Sequence, residues 1–455
     1  TGFAPPHDAH VHSVAASAPQ WPQKRIPSGF SPPHDAQIHK DTCDAVYDRP
    51  RDGYALLGPG EAAAAVCFDV VVTGIETQRI VALVRLVLVL PLRRAEDLGP
   101  LEPIVVVDHW RHSAHKTRMR HENLPVIYAV DYHTAGEPFR IVTGEADALS
   151  GSSILAKRRQ AGERLDHVRR LLVNEPRGHA DMYGCFVTEP VDDGAHLGAV
   201  FFHNAGYSTA CGHGTIALVT WALEHGRLPA REPETEVIVD VPSGRLRTIA
   251  RVERGRVRSV RFTNVPAFVE LEAIELVTAE GPVVVDMAYG GAFYASVSLR
   301  ELPLAVERPA LPRLIALGRE VKSLLEASYQ FVHPLEPELR DVYGVVFFQD
   351  EAEGPPLVQR NVTVFADGEI DRSPCGSGTS ARLALLDRSG RLPRGALLRH
   401  LGIVGTEFAA RVVGGAEVAG RPAVVTEIEG SSYQTGEHRF LLDPDDPLGD
   451  GFLLR

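Results

Sequence analysis

Two short stretches of this chain hold residue types and spacings that could do chemistry. Residues 208–218 read "STACGHGTIAL" and residues 373–383 read "SPCGSGTSARL". In each, a cysteine is followed by glycine and then by a run with helical character. A thiol just ahead of a helix N-terminus lies at the positive end of the helix dipole, which favours the thiolate. The glycines let backbone N–H groups come close to a ligand, so the same turn makes an anion site. Two copies give two thiols and two sets of N–H donors. If the copies face each other, both can hold one small carboxylate, with a thiol on each face of its α-carbon. That suits removal of a proton from one face and its return to the other, with acid and base exchanging roles in the reverse direction. A thiol can serve because its free pKa is ~8.5 and falls at a helix start. The scheme calls for no cofactor, but it needs preorganised donors for the charge that develops as the carbanion forms.

The elements that must position these residues are themselves duplicated. Cys211, Gly212, Gly214, Thr215 and Ala217 recur 164 positions later as Cys375, Gly376, Gly378, Thr379 and Ala381. The match resumes at "GRLP", where Gly226–Pro229 fall on Gly390–Pro393. Glycine suits the left-handed position after a helix and proline cannot continue one, so both helices are predicted to have the same length and stop. Upstream, "YAVDYHTAG" (128–136) is echoed by "VVVDMAYGG" (283–291). Residues 124–142 read as strand, turn, strand, and 154–173 have helical apolar spacing. Residues 235–265 read as hairpins turning at Ser-Gly and Arg-Gly. The alternation predicts an α/β (α+β) protein of mixed or antiparallel sheets in two like halves. The first half is expected over 124–280, with C-terminal strands from 435–455 returning to it. The second is expected over 281–434.

Residues 1–123 differ in texture. "TGFAPPHDAHVH" at 1–12 recurs as "SGFSPPHDAQIH" at 28–39, in a Pro-, Ala- and His-rich setting. Such stretches seldom build a core, so a disordered or non-homologous extension is expected. His7, His10 and His12 have the residue types of a metal site, but the bland reading is preferred and no metal is expected. The net charge of −12 argues against nucleic acid or an anionic membrane as partner. The best apolar run, Ile80–Leu90, is interrupted by Arg85 and falls short of the ~20 residues of a membrane span. No signal-peptide pattern is found, and five scattered cysteines do not form a disulfide or zinc pattern. A reducing cytoplasm and a small-molecule substrate are therefore expected. Cys185 reads as a packed core thiol.

The stretches "DYHTAGEPFRIV" (131–142), "EPRGHADMYG" (175–184), "GYSTACGHGTIAL" (206–218), "DMAYGG" (286–291) and "DRSPCGSGTSA" (371–381) resemble the proline racemase family. That family includes hydroxyproline 2-epimerases and trans-3-hydroxyproline dehydratases, and the resemblance covers roughly residues 124–440. It implies a diaminopimelate-epimerase-like fold: two pseudo-symmetric halves, each a mixed sheet wrapped around a central helix, with the active site in the cleft between them. It further implies a cofactor-independent isomerase acting on proline or hydroxyproline, with Cys211 and Cys375 as the acid/base pair. His213 and Asp371 are implied as their polar partners, and Gly212, His213, Gly376 and Ser377 as the carboxylate-binding backbone. Tyr183 and Phe365 match positions bordering the substrate ring. Family members are often dimers, so a homodimer is expected. Ser377 stands where threonine is commoner and Ala210 where methionine is commoner; neither change removes a backbone donor. His133, Glu137 and Arg140 are explained as well by a structural turn, and His179 and Asp181 by the floor of the cleft. Two alternatives stay open. A dehydratase of the same family would carry threonine at the second thiol position, which Cys375 opposes. A hydrolase using Cys211 and His213 is opposed by the expectation that residues two apart at a helix start point in different directions, and it leaves the second thiol unexplained.

Overall fold

The computed structural model describes residues 53–56, 65–76, 79–89, 126–144, 149–354 and 356–454. His7, His10 and His12 lie outside the described residues. The chain divides into two units, Thr1–Ala114 and His115–Arg455. In the first, strands Gly53–Leu56, Ala65–Glu76 and Arg79–Val89 form an antiparallel sheet in chain order.

The second unit is built twice on one plan. In its first half the hydrogen-bonded strand order begins with Ser432–Leu441, Val126–Thr134, Glu137–Val142 and Tyr183–Thr188. It continues through Leu197–His203, Glu234–Val241, Gly244–Glu253 and Arg256–Thr263. The second half repeats the order with Phe268–Thr278, Gly281–Tyr289, Phe293–Ser298 and Val342–Ala352. It then runs through Leu357–Phe365, Leu398–Leu401, Glu407–Val418 and Arg421–Gly430. In both halves the third strand meets the fourth in parallel, the fifth meets the sixth in parallel, and all other steps are antiparallel. The final strands of the two orders pair with each other, Val260 opposite Gly430. The seam therefore falls ahead of residue 281, because Phe268–Thr278 pairs with Gly281–Tyr289.

Parallel neighbours need a crossover, and helices supply each one. Ile154–Arg164, Asp166–Val173 and the matching Leu311–Ser328 bridge the third and fourth strands. The 154–173 segment, read from its spacing as one helix, breaks at Leu165. That residue leaves helical geometry at φ −119°, ψ 9°, and ends the first helix while opening the second. Its apolar positions Ile154, Leu155, Leu165, Val168, Leu171 and Leu172 are all buried, so the face was read correctly although the break was not.

Between the fifth and sixth strands lie a short strand and a central helix. These are Gly206–Tyr207 with Gly212–Glu224, and Glu369–Asp371 with Gly376–Arg388. Every residue of Gly212–Leu223 is buried, as expected of a helix that is apolar on all sides. Ile216, Val219 and Ala222 share a core with Val237, Val239, Val260 and Phe262, and Leu383, Leu386 and Phe408 of the second half join it. The second helix buries Arg382 too; its Nε donates to Gln359 and its guanidinium lies 3.7 Å over the Phe348 ring. Both helices end at the expected glycine, Gly226 at φ 66° and Gly390 at φ 67°. Among the described residues, no helix is long and apolar enough to cross a membrane.

Candidate active site

The two central helices meet end to end. A Cβ placed on Gly212 would lie 2.6 Å from the Gly376 Cα, and one on Gly376 would lie 2.7 Å from the Gly212 Cα. Only glycine allows this approach. It brings Cys211 and Cys375, the residues just before each helix, into one narrow pocket. Tyr183, Ala210, His213, Tyr294, Tyr343, Phe365, Asp371 and Ser377 complete the wall. Every residue predicted for the site is therefore gathered here, from both halves.

Cys211 has extended backbone at φ −153°, ψ 98°, so its side chain folds back over the first helical turn and accepts the Gly214 N–H at 3.2 Å. Sγ then lies 3.5–3.6 Å from both ring nitrogens of His213. The expectation that residues two apart diverge fails for this reason. His213 Nδ1 is 3.8 Å from Asp371 Oδ2, and Asp371 Oδ1 accepts the Ser373 N–H and hydroxyl at 2.8 and 2.7 Å. Cys375 is held at φ 62°, a left-handed conformation that costs a non-glycine residue ~1–2 kcal/mol. The Ser373 hydroxyl oxygen accepts its N–H at 3.1 Å, and Sγ is 3.7 Å from the Tyr294 hydroxyl. Tyr294 in turn bonds Ser377 at 2.6 Å.

Burial dominates the electrostatics. It pushes the Cys211 thiol well above its ordinary range, against the pull of the Gly214 N–H, with Asp371 raising it further. Cys375 is pushed up to about 12 by burial and then by Asp371. The helix-start effect expected from the sequence, a lowered thiol pKa, is thus outweighed by desolvation. Burial also lowers His213 to about 3, leaving a neutral imidazole, and raises Asp371 to about 6. The Tyr183, Tyr294 and Tyr343 hydroxyls are raised in the same way and stay neutral.

Tyr294 and Tyr343 were not singled out from the sequence. Tyr294 stands three residues beyond "DMAYGG", which was the available signal. Tyr343 carries none: the strand registers place Val345, not Tyr343, at the position matching Tyr183 in the internal symmetry. The Tyr183 and Tyr343 hydroxyls nevertheless meet at 2.9 Å, and Tyr183 also bonds Ser208. Phe365 packs on both rings, at 5.9 and 5.6 Å between centroids. Tyr343 also borders a wider cleft of about 870 Å³ lined by Arg158, Tyr207, Lys322, Tyr329 and Asp341.

The remaining stretches are structural. His133 accepts the Gly136 N–H within its turn, and Arg140 holds Asp131 through two bonds at 2.7 and 2.8 Å. Asp181 is buried and accepts the Ile370 N–H at 3.2 Å, whereas the His179 side chain is exposed. Cys185 is fully buried in the core.

The family model described as proline racemase matches residues 129–453. The chain belongs to the proline racemase family. A 3-hydroxyproline 2-epimerase of Burkholderia multivorans is 44% identical over 72% of this chain and 97% of its own length. A trans-3-hydroxy-L-proline dehydratase of Bacillus thuringiensis is 41% identical over 72% of this chain and 98% of its own. Among solved structures, a hydroxyproline epimerase from Agrobacterium vitis with bound trans-4-hydroxy-L-proline is 32% identical with a TM-score of 0.68. It covers 74% of this chain and 96% of that one. These relatives differ in the reaction their names give.

Proposed function

We propose that this proline racemase family member is a hydroxyproline 2-epimerase, inverting the α-carbon with Cys211 and Cys375 as alternating acid and base. The observation that carries the reading is the meeting of two cysteine-headed helix starts at Gly212 and Gly376. The N–H groups of Gly212, His213, Gly376 and Ser377 would hold the substrate carboxylate, where both helix dipoles stabilise the charge that builds during proton removal. The substrate ammonium would lie at Asp371, whose negative charge raises both thiols. Neutralising Asp371 therefore favours ionisation of one thiol once substrate is bound. The Tyr183, Tyr343 and Ser208 hydroxyls form a polar edge for the hydroxyl of the ring, which an apolar wall would read poorly.

A second reading, dehydration of trans-3-hydroxyproline, draws support from the same tyrosines, because neutral hydroxyls could protonate a departing hydroxide. It needs one thiol only and leaves Cys375 without a role. Proton NMR in D2O with L-proline, trans-4-hydroxy-L-proline and trans-3-hydroxy-L-proline separates the readings. The epimerase reading expects exchange of the α-proton with inversion at C2 on chiral analysis. Loss of water from the 3-hydroxy compound without inversion would favour the dehydratase, and no exchange on any of the three would overturn both.

A further inference from the structure

Glu137 is fully buried at the start of its strand, in the first half. Its Oε2 accepts the backbone N–H of Arg372 at 2.7 Å and the Arg372 guanidinium at 3.2 Å, while Oε1 has no hydrogen-bond partner among the described residues. The guanidinium continues to the Asp181 carbonyl at 3.2 Å and its carboxylate at 3.6 Å. Arg372 stands between Asp371 and Ser373 in the turn that leads to Cys375. Fixing its N–H fixes that turn: Asp371 against His213, Ser373 on Asp371, and the Cys375 N–H on Ser373. A left-handed cysteine persists only where its surroundings overdetermine it. This relay from Glu137 ties the strained turn to the opposite half, beside the Asp371–His213 and Ile370–Asp181 contacts.

We propose that Glu137 is a positioning residue that, through Arg372, holds Asp371 and the Cys375 turn in register with Cys211. The proposal rests on the two-thiol reading for its catalytic consequence but not for its test. The charged and titratable groups facing Glu137 are Asp371 and Arg372 from the second half; beyond them Asp181, His213 and the two thiols complete the cluster. Burial, then Asp371, raises Glu137 well above the ordinary carboxyl range, with Arg372 opposing. Its service is therefore that of a fixed acceptor rather than of a full charge.

The test measures alkylation of Cys211 and Cys375 by iodoacetamide against pH, read peptide by peptide, alongside kcat/KM for α-proton exchange. Buried Cys185 serves as the internal control for general loosening. Glu137→Ala is expected to lower kcat/KM by about 10–100-fold. It should also move the Cys375 midpoint at least half a pH unit downward as the turn admits water, with Cys185 still unreactive. Glu137→Gln, whose carboxamide oxygen can still accept the Arg372 N–H, should recover most of the loss and the wild-type profile. If the alanine variant does not fold, Glu137→Asp, which keeps a carboxyl group but withdraws it from the Arg372 N–H, should show the same shift. An unchanged Cys375 profile in the alanine or aspartate variant, or a glutamine variant as impaired as alanine, would overturn the proposal. Absence of α-proton exchange in the wild type would remove the epimerase reading and leave the alkylation profiles to decide the role of Glu137.

Discussion

Cys375 and Cys211 occupy equivalent positions but not equivalent settings. One is left-handed beside Tyr294 and Ser377; the other is extended beside His213. In the epimerase reading both are needed, so Cys375→Ser should cut α-carbon inversion by about 10²–10⁴-fold, the usual worth of a positioned acid or base. A hydrolase built on Cys211 and His213 would barely notice, and an unaffected inversion rate would refute the paired role. Asp371 sets a second expectation. With its carboxyl raised from 3.8 to about 6, it takes up a proton as the pH falls below 6 and loses its hold on an ammonium. In the free enzyme kcat/KM should therefore drop tenfold per unit below about pH 6. The stability sign runs the other way. A raised carboxyl contributes stability below its ordinary value and loses it as the pH rises through 6. Relative to wild type, Asp371→Asn should gain up to about 3 kcal/mol between pH 4 and pH 7 in urea unfolding. A pH-independent difference would show that Asp371 is not so raised. At the ring edge, Tyr343→Phe should lower kcat/KM for hydroxyproline more than for proline; equal losses would remove the tyrosine from substrate choice.

At the scale of elements, the two central helices were legible in outline because their starts and stops are local chemistry. The Cys-Gly openings and the Gly226 and Gly390 endings follow from what single residues allow. Their contact was not legible, since nothing local to Gly212 says that Gly376 lies against it. Gly212→Ala tests that contact. Its Cβ would enter the space of the Gly376 backbone and the Phe262 ring, 2.6 and 2.9 Å away. The helix starts must then part, with an expected loss of about 1–3 kcal/mol and of most activity. Wild-type stability and turnover in this variant would mean that the two starts are free to separate. The break at Leu165 escaped a reading based on spacing because the buried face continues across it.

At the scale of the whole second unit, the strand order interleaves the chain ends. Ser432–Leu441 pairs with Val126–Thr134, so the last strand of the unit completes the half that the first strand begins. Deleting residues 432–455 should leave Val126–Thr134 with an open edge. The result expected is loss of cooperative urea unfolding and association on size-exclusion chromatography. A monomeric, cooperatively unfolding deletion variant would refute this.

By itself, the sequence determined the duplication, the helix boundaries around each cysteine and the paired cysteines and glycines at the helix starts. These depend on repeated residue types and on local φ, ψ preferences, which a linear chain displays. The tertiary structure alone decided which groups from one half meet those of the other. It made Tyr343 the partner of Tyr183 and gave Glu137 its hold on the Cys375 turn. It also reversed the expected shift of the thiols, because desolvation depends on everything packed around a group, and the helix start acts on one side only.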